Sequence, residues 1–292
     1  MKLPRAKGET KGVLVDLTKC IGCGSCVVAC KMYNNNEWIE DRAPTSGENA
    51  ALADANWTVV EHCRISKATG ENLKVGKISP PVRMDGSEEW RYVKRQCLHC
   101  KDPACVSSCF ATAFKQNEND LGVVTYYPNL CVGCRYCMLA CPFSIPKFEW
   151  NKPIPVLTKC TMCHNRIKSS DAPACVSVCP TNVMMFGNRE ELLKKAKEIL
   201  ANDSRYVRHI YGDEEAGGTA WMYISDKPFE QLGFKTSVPK RSIPSYTEGF
   251  MWLTPRFGAI WLVVLSFLYF ITKRRSAKKE GAKKEGKKTD TP

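Results

Sequence analysis

Apolar residues occur in short stretches along most of this chain, and their spacing predicts both strands and a helix. Residues 13–17 and 123–127 are apolar stretches of strand length, and residues 31–96 contain further β-branched and aromatic pieces separated by Gly and Pro. Residues 189–200 (REELLKKAKEIL) place apolar side chains at helical spacing, with Asn188 in the capping position. The pattern therefore indicates a chain of mixed secondary structure.

One stretch is far more apolar than the rest. Residues 257–272 (FGAIWLVVLSFLYFIT) carry no charge over sixteen positions and are bounded by Arg256 and Lys273. As a helix they would rise about 24 Å, slightly less than the ~30 Å hydrocarbon core of a bilayer, and flanking basic and aromatic residues can make up the difference. The pattern predicts one transmembrane anchor over residues 251–272 rather than a buried or an interfacial helix.

The two segments that flank this anchor lack a clear period. Residues 202–249 mix Gly, Pro and aromatic residues and are expected to form an extended arm. Residues 273–292 hold nine Lys or Arg and three acids, a local +6 (9 minus 3), which leaves +7 of the total +13 for the rest of the chain. This tail is expected to be disordered, and the weak remaining charge predicts no nucleic-acid partner.

Cysteine is the residue type whose frequency is unusual. Hydrophobic residues make up 43% and charged residues 25% of the chain, which is ordinary for a globular protein, but there are 17 cysteines. An odd number with spacings of two and three residues favours metal-binding loops over a complete set of disulfides. Sixteen of them form run 1 (Cys20, Cys23, Cys26, Cys30), run 2 (Cys97, Cys100, Cys105, Cys109), run 3 (Cys131, Cys134, Cys137, Cys141) and run 4 (Cys160, Cys163, Cys175, Cys179).

The runs repeat within the chain. Runs 1 and 3 share the spacing C-x2-C-x2-C-x3-C, each after a strand-like stretch. Runs 2 and 4 share the sequence Pro-Ala-Cys-Val-Ser, which begins at Pro103 and at Pro173. Such self-similarity indicates a duplicated small module, and the predicted fold class is α+β.

The spacing of runs 1 and 3 is that of bacterial ferredoxins, which bind 4Fe-4S clusters. Three thiolates two residues apart in a tight loop can hold three corners of a cubane, and Gly22 and Gly133 ease the turn. The fourth cysteine reaches a neighbouring cluster, so the runs work in pairs, although the repeats alone allow sequential as well as nested pairing. Sixteen cysteines then predict four clusters, which transfer single electrons and need no acid, base or nucleophile.

Zinc and a soluble ferredoxin are the two alternatives for these cysteines, and both fit less well. Zinc held by C-x2-C pairs would make the chain a zinc-stapled binding module, but three thiolates within seven residues suit a cubane better. A soluble ferredoxin with several clusters would not need the apolar anchor. The sequence shows no glycine-rich phosphate loop, nucleophile elbow or C-x3-C-x2-C radical motif, so no catalytic site is predicted.

Three further residues near the runs have candidate roles. Cys63, the cysteine left over, is predicted to be a buried structural thiol. His99 and His164 lie inside runs whose ligands are already complete, and we expect them to pack around clusters rather than to bind them. None of the three is therefore counted among the ligands.

Three stretches around the runs are distinctive, namely residues 91–100 (RYVKRQCLHC), 134–143 (CRYCMLACPF) and 186–192 (FGNREEL). With the runs, they make the chain strongly resemble the four-cluster iron-sulfur (beta) subunits of membrane-bound nickel-iron hydrogenases and formate dehydrogenases, which are relatives of subunits in molybdopterin reductases. The resemblance extends from about residue 12 to the anchor. Phe110 stands where this family often has proline.

The resemblance implies that run 1 pairs with run 4 and run 2 with run 3. Each ligand set then takes three cysteines from one run and the last cysteine of its partner run. The implied sets are set A (Cys20, Cys23, Cys26, Cys179), set B (Cys160, Cys163, Cys175, Cys30), set C (Cys97, Cys100, Cys105, Cys141) and set D (Cys131, Cys134, Cys137, Cys109).

This pairing predicts an architecture of two nested ferredoxin-like lobes, each with two clusters. The outer lobe comprises residues 12–90 with 150–187, and the inner lobe residues 91–149. A helix and arm (188–250), the anchor (251–272) and the basic tail (273–292) follow.

The same resemblance implies the function and the partners. The chain would relay electrons between a catalytic subunit of hydrogenase or formate dehydrogenase type and an integral-membrane quinone-reactive or cytochrome b subunit, or in the reverse direction in a molybdopterin reductase. Nine basic residues after the anchor place the C-terminus in the cytoplasm and the clusters on the periplasmic side. Residues 1–12 show no secretory or twin-arginine signal, so we expect export together with a partner that carries one.

Overall fold

The chain forms two units in the computed structural model, which describes residues 10–39, 43–74, 85–116, 121–150, 152–153 and 155–286. One unit ends at Pro244 and contains every cysteine, and the other is a long helix that begins at Ser245. The strands are β1 (Lys11–Asp16), β2 (Ser46–Gly47), β3 (Thr58–Ser66), β4 (Glu88–Gln96), β5 (Phe114–Lys115), β6 (Thr125–Tyr126), β7 (Lys147–Phe148), β8 (Leu157–Thr158), β9 (Met184–Asn188) and β10 (Trp221–Ile224). The helices are α1 (Ser25–Asn34), α2 (Ala104–Ser107), α3 (Tyr136–Ala140), α4 (His164–Lys168), α5 (Ala174–Ser177), α6 (Arg189–Asn202) and α7 (Ser245–Gly286).

Strand β1 lies at the centre of a three-stranded sheet in the order β10-β1-β9. It runs parallel to β10, with Val13 opposite Trp221, and antiparallel to β9, with Val13 opposite Phe186. Alternate residues of a strand face opposite sides. Val13 and Val15 therefore join the larger hydrophobic core, against which cysteines of sets A and B pack, while Leu14 joins a smaller core on the other side.

Helix α6 covers the side of this sheet that faces away from the cysteines. Asn188 caps it, because its side-chain oxygen accepts a hydrogen bond of 2.9 Å from the backbone N–H of Glu190. Leu193 and Ala196 of the helix pack with Leu14 of β1 in the smaller core. The predicted helix and its cap are confirmed.

Strands β3 and β4 form a second sheet, in which each contributes nine residues to an antiparallel ladder. The short strand β2 adds to β3 in parallel. Cys63 lies in the middle of β3 and is 2% exposed, and its thiol donates to the carbonyl of Leu232 at 3.6 Å. The prediction that Cys63 is buried is confirmed.

The internal repeat is visible in the backbone around the runs. A 3-10 turn precedes run 1 at Leu17–Lys19 and run 3 at Pro128–Leu130. A residue with positive φ, Gly24 or Arg135, then precedes α1 or α3. Helices α2 and α5 share the sequence Ala-Cys-Val-Ser. Around runs 2 and 3 the strand pairs β5–β6 and β7–β8 are only two residues long.

The segment after α6 differs from the extended arm that the sequence predicts over residues 202–249. It contains β10, which pairs with β1, and Trp221, Tyr223, Phe229 and Phe234 are buried in the larger core. Four apolar residues in succession are too few to show a period, so the sequence pattern does not reveal this strand. The segment belongs to the core that covers the cysteines.

Helix α7 is the one helix in the described residues that is long and apolar enough to cross a membrane. Its most apolar stretch of 18 residues, which lies within Ser245–Ala277, has a mean hydropathy of 1.6, and none of that stretch is buried within the protein. It includes the predicted anchor over residues 251–272. Residues 273–286, predicted to be disordered, instead continue the helix to Gly286, because Ala, Lys and Glu are good helix formers.

Candidate metal centres

The four cysteines of set A line one cavity. Three come from the loop after β1 and the first turn of α1, and the fourth, Cys179, follows α5. Gly22 has a φ of +72°, and a Cβ atom there would lie 2.6 Å from the ring of Tyr92. The loop therefore needs glycine both for its backbone conformation and for its close approach to the ring.

The four cysteines of set B line a second cavity. The backbone N–H of Met162 donates to Cys160 Sγ at 3.3 Å, and the side-chain amide of Asn34 donates to Cys30 Sγ at 3.6 Å. Trp221 forms part of the wall, and its indole N–H is buried without a hydrogen-bond partner in the part of the chain that the structure describes. These donors are suited to sulfur acceptors inside the cavity.

Set D lines a third cavity, and set C lies beside it. Backbone N–H groups of Ala113 and Gly133 donate to sulfurs of set D, at 3.2 Å to Cys109 and 3.4 Å to Cys131. In set C, Cys100 interacts electrostatically with the other three members of its set. Run 1 therefore lies with run 4, and run 2 with run 3.

Thiols of successive sets lie close enough to interact electrostatically. The pairs are Cys26 with Cys175 (A to B), Cys160 with Cys97 (B to C), and Cys105 with Cys137 (C to D). The sets thus follow one another in the order A, B, C, D. Redox groups held in these positions would form a continuous series.

Burial controls the acidity of most of these thiols. It raises the pKa of Cys26 and of Cys30 to about 12, and it raises the pKa of Cys160 well above its ordinary value. Cys23 is the exposed exception, and its hydrogen bonds to Ser25 lower its pKa. A buried thiol with a raised pKa releases its proton mainly when a metal cation binds to the sulfur in its place. The buried members are therefore suited to holding metal rather than to attacking a substrate.

The donor sets fit an iron-sulfur cluster better than a single ion. The cavities of sets A, B and D measure about 370, 310 and 290 Å³ including their mouths. Among the described residues, no three Cys, His, Asp or Glu side chains converge closely enough to hold one metal ion. A zinc ion binds its ligand atoms at about 2.0–2.3 Å from the metal, so they must lie close together. The four thiolates of a cubane lie farther apart, because the iron and sulfide atoms of the cluster stand between them. Four thiols around an open cavity match the cubane.

Neither of the two histidines inside the runs is among the described residues that line the cavities of sets A, B and D. His99 is buried, and its Nδ1 accepts a hydrogen bond of 3.1 Å from the backbone N–H of Val124, so the proton is on Nε2. Burial lowers the pKa of His99 well below its ordinary value, and the ring is therefore neutral. His164 is the first residue of α4.

A buried lysine that the sequence prediction omits lies among sets A and B. Lys94 on β4 is 3% exposed and lines the cavities of both sets. Burial lowers the pKa of Lys94, but the thiols of Cys175 and Cys26 more than offset this and leave it raised. The available signal was its position in the sequence, three residues before the first cysteine of run 2.

A second buried lysine, Lys159, directly precedes run 4. It is 5% exposed, and its ammonium group donates to the carbonyls of Val124 at 2.6 Å and Cys160 at 3.0 Å. It also interacts electrostatically with Cys105 of set C. Each half of the cysteine series therefore has a buried ammonium group beside it.

Two family models match the chain. A model described as a 4Fe-4S dicluster domain matches residues 88–189, and one described as a 4Fe-4S binding domain matches residues 11–32. Together the two segments contain all sixteen cysteines of the four runs.

Several known proteins are similar to the chain over most of its length. A protein of Nitratidesulfovibrio vulgaris is 40% identical over 273 residues, which cover 91% of this chain and 68% of that protein. The hydrogenase-2 operon protein HybA of Escherichia coli O157:H7 is 35% identical over 248 residues, 76% of this chain and 71% of its own. The iron-sulfur subunit of the nitrate-inducible formate dehydrogenase of Escherichia coli K12 is 34% identical over 223 residues, 74% of this chain and 69% of its own.

Proposed function

Because the chain belongs to the family of iron-sulfur electron-transfer subunits of hydrogenases and formate dehydrogenases, we propose that it carries four 4Fe-4S clusters, one in each of sets A to D. The members of this family are electron-transfer subunits and not catalytic ones. The four clusters would relay electrons between a catalytic subunit of hydrogenase or formate dehydrogenase type and an integral-membrane quinone-reactive or cytochrome b subunit.

The observation that carries the proposal is the series of four cysteine groups. Each group brings three thiols of one run to the last thiol of another, and each is in electrostatic contact with the next. Four thiolates are the usual ligand number of a 4Fe-4S cluster, and such clusters change one electron at a time. An unbroken series gives a path for electrons from one end of the unit to the other.

The residues of this chain have three tasks in the proposed relay. The thiols hold the clusters, and backbone N–H groups such as those of Met162, Ala113 and Gly133 donate to their sulfurs. Strands β1, β3, β4 and β10 exclude water from the outer sets, which keeps the local dielectric low. When bound, the clusters supply the one-electron chemistry.

The proposed location is the cytoplasmic membrane, with α7 as a single anchor in contact with lipid. The basic residues that follow the apolar part of α7 support a cytoplasmic C-terminus and clusters on the periplasmic side. A reporter fused to the C-terminus tests this arrangement. We expect a fluorescent fusion to be bright and an alkaline phosphatase fusion to be inactive, and the opposite pair of results would reverse the topology.

Iron and acid-labile sulfide analysis of the intact, anaerobically purified protein tests the cluster assignment. We expect about sixteen irons and about sixteen sulfides per chain, four of each for every cluster. A Cys63→Ala variant serves as the matched control, because Cys63 is a buried cysteine outside all four sets, and it should retain the full content. Zinc without sulfide would overturn the assignment. A content of about twelve irons would mean that one of the four sets holds no cluster.

A further inference from the structure

Lys94 brings a positive charge into the part of the molecule where sets A and B meet. Its side chain lies on β4, is buried, and donates a hydrogen bond of 2.8 Å to the side-chain oxygen of Gln96. The ammonium group also lies 4.3 Å from the centre of the Trp221 ring. Both partners are neutral, so neither balances the charge.

Most of the ionisable groups that face Lys94 are thiols of the cysteine sets. The groups that act on it most strongly are the thiols of Cys175 and Cys26, followed by the phenol of Tyr223 and the thiol of Cys160. Cys26 belongs to set A, whereas Cys175 and Cys160 belong to set B. The ammonium group is therefore shared between two sets.

A buried ammonium group is costly unless negative charge lies close by. Thiolates that hold a cluster supply that negative charge, and they supply it on both sides of Lys94. Reduction adds one more negative charge to a cluster. A fixed positive charge in a medium of low dielectric constant favours the reduced form, and burial protects this interaction from screening by salt.

We propose that Lys94 sets the reduction potentials of the clusters in sets A and B, by stabilising the reduced form of both with one shared positive charge. The inference rests on the cluster assignment of the proposed function. Lys94 acts through its field and is a positioning residue rather than a ligand. Lys159 provides an internal comparison, because its ammonium group acts on Cys105 of set C, in addition to its hydrogen bond to the backbone carbonyl of Cys160 in set B.

A redox titration of the intact protein, followed by EPR spectra at a series of ambient potentials, tests the proposal. In Lys94→Met, which removes the charge but keeps most of the side-chain volume, we expect two of the four clusters to change. At a fixed ambient potential their ratio of reduced to oxidised form should fall about tenfold, which corresponds to about 59 mV for a one-electron couple. The other two clusters should stay within about twofold of the wild type.

Three comparison variants separate a local charge effect from other causes. Lys94→Arg keeps the charge and should hold both ratios within about threefold of the wild type. Lys159→Met should move a cluster other than the two that respond to Lys94. Lys197→Met, which removes a lysine whose side chain is 63% exposed on α6, should move none.

Several outcomes would overturn the proposal. These are unchanged potentials in a Lys94→Met protein with full iron, an equal shift of all four clusters, or the same shift in Lys94→Arg. If Lys94→Met does not retain iron, Lys94→Gln, which can still donate to Gln96, takes its place. Loss of iron from both, with full iron in Lys94→Arg, would show that the charge holds the sets together and does not tune them.

The failure of the proposed function would look different from the failure of this inference. A wild-type protein with fewer than four clusters, or with zinc, contradicts the cluster assignment before any variant is made. If the wild-type protein carries four clusters but the Lys94 substitutions leave their potentials unchanged, only the role of Lys94 is contradicted.

Discussion

The outer half of the cysteine-bearing unit, which holds sets A and B, and the inner half, which holds sets C and D, use the same cysteine spacing in different surroundings. All four thiols of set B are buried, whereas set D has one buried thiol, Cys137. Three-stranded sheets cover the outer half, while the inner half has strand pairs of two residues. Apolar side chains beside set D are correspondingly open, with Leu139 85% and Phe110 69% exposed.

Ligand spacing and solvent cover are encoded by different parts of the chain. The runs place the thiols, whereas the cover of the outer half comes from β3, β4 and β10, which lie outside the runs. Set A also has an exposed member, Cys23. Set B is therefore the most enclosed member of the series, and solvent reaches thiols of both set A and set D.

Loss of one thiol from each half should give the largest effect and the clearest contrast. We expect Cys175→Ala and Cys134→Ala each to lower the iron content from about sixteen to about twelve or fewer per chain. Cys175→Ala should also lower the thermal unfolding midpoint further, because it leaves unpaired groups in a buried cavity instead of a half-open one. Iron analysis and anaerobic thermal unfolding measure the two effects. Equal losses of midpoint would contradict the claim that the halves differ in cover.

Removal of a tryptophan from each half tests the cover itself. Trp221 on β10 is fully buried and lines the cavity of set B, whereas Trp150, near set D, is 66% exposed and packs edge to face against Phe148, with the ring centres 5.0 Å apart. We expect Trp221→Ala to lower the free energy of unfolding by about 3–5 kcal/mol. Trp150→Ala should cost about 1 kcal/mol or less. Urea unfolding measures both values, and similar values would refute the contrast.

Gly22 and Gly133 occupy equivalent positions of runs 1 and 3 and give a matched pair of smaller substitutions. Both have positive φ, +72° and +70°, so alanine costs about 1–2 kcal/mol at either position. A new Cβ at Gly22 would lie 2.6 Å from the ring of Tyr92, but at Gly133 the nearest atom, in Phe148, is 3.9 Å away. Gly22→Ala should therefore cost about 1–3 kcal/mol more than Gly133→Ala in urea unfolding.

The extra cost at Gly22 has a direct control. Because it is attributed to the Tyr92 ring, a Tyr92→Ala background should remove most of the difference between the two glycine substitutions. A double-mutant cycle measures this coupling. If the difference persists without the ring, the close approach of the ring does not explain the requirement for glycine.

Much of the molecule is accessible to sequence reasoning because its signals are local. The cysteine spacing within each run, each copy of the sequence Pro-Ala-Cys-Val-Ser, the helical period of α6 and the uncharged stretch in α7 each lie within about twenty residues. The capping role of Asn188 and the burial of Cys63 are predicted from the residues next to them in the sequence. A local pattern needs no knowledge of what packs against it.

The features that sequence reasoning missed depend on distant contacts. Strand β10 is four residues long and is a strand because it lies beside β1, more than two hundred positions away in sequence. Lys94 and Lys159 look like surface residues, and only the fold shows that both are buried beside cysteine thiols. The prediction for residues 273–286 failed although the relevant signal is local. It inferred disorder from the high density of charge and gave too little weight to the helix propensity of Ala, Lys and Glu.

The smallest predicted effect tests whether cover and ligand binding are separate. Asn188 caps α6 on the face of the central sheet turned away from the cysteines. We expect Asn188→Ala to lower the free energy of unfolding by about 1 kcal/mol, and Asn188→Asp, which keeps a capping oxygen, to restore most of it. Both variants should retain about sixteen irons, because the smaller core, in the part of the chain that the structure describes, contains no cysteine. If loss of the cap also released iron, cover and ligand sets would be coupled through the sheet.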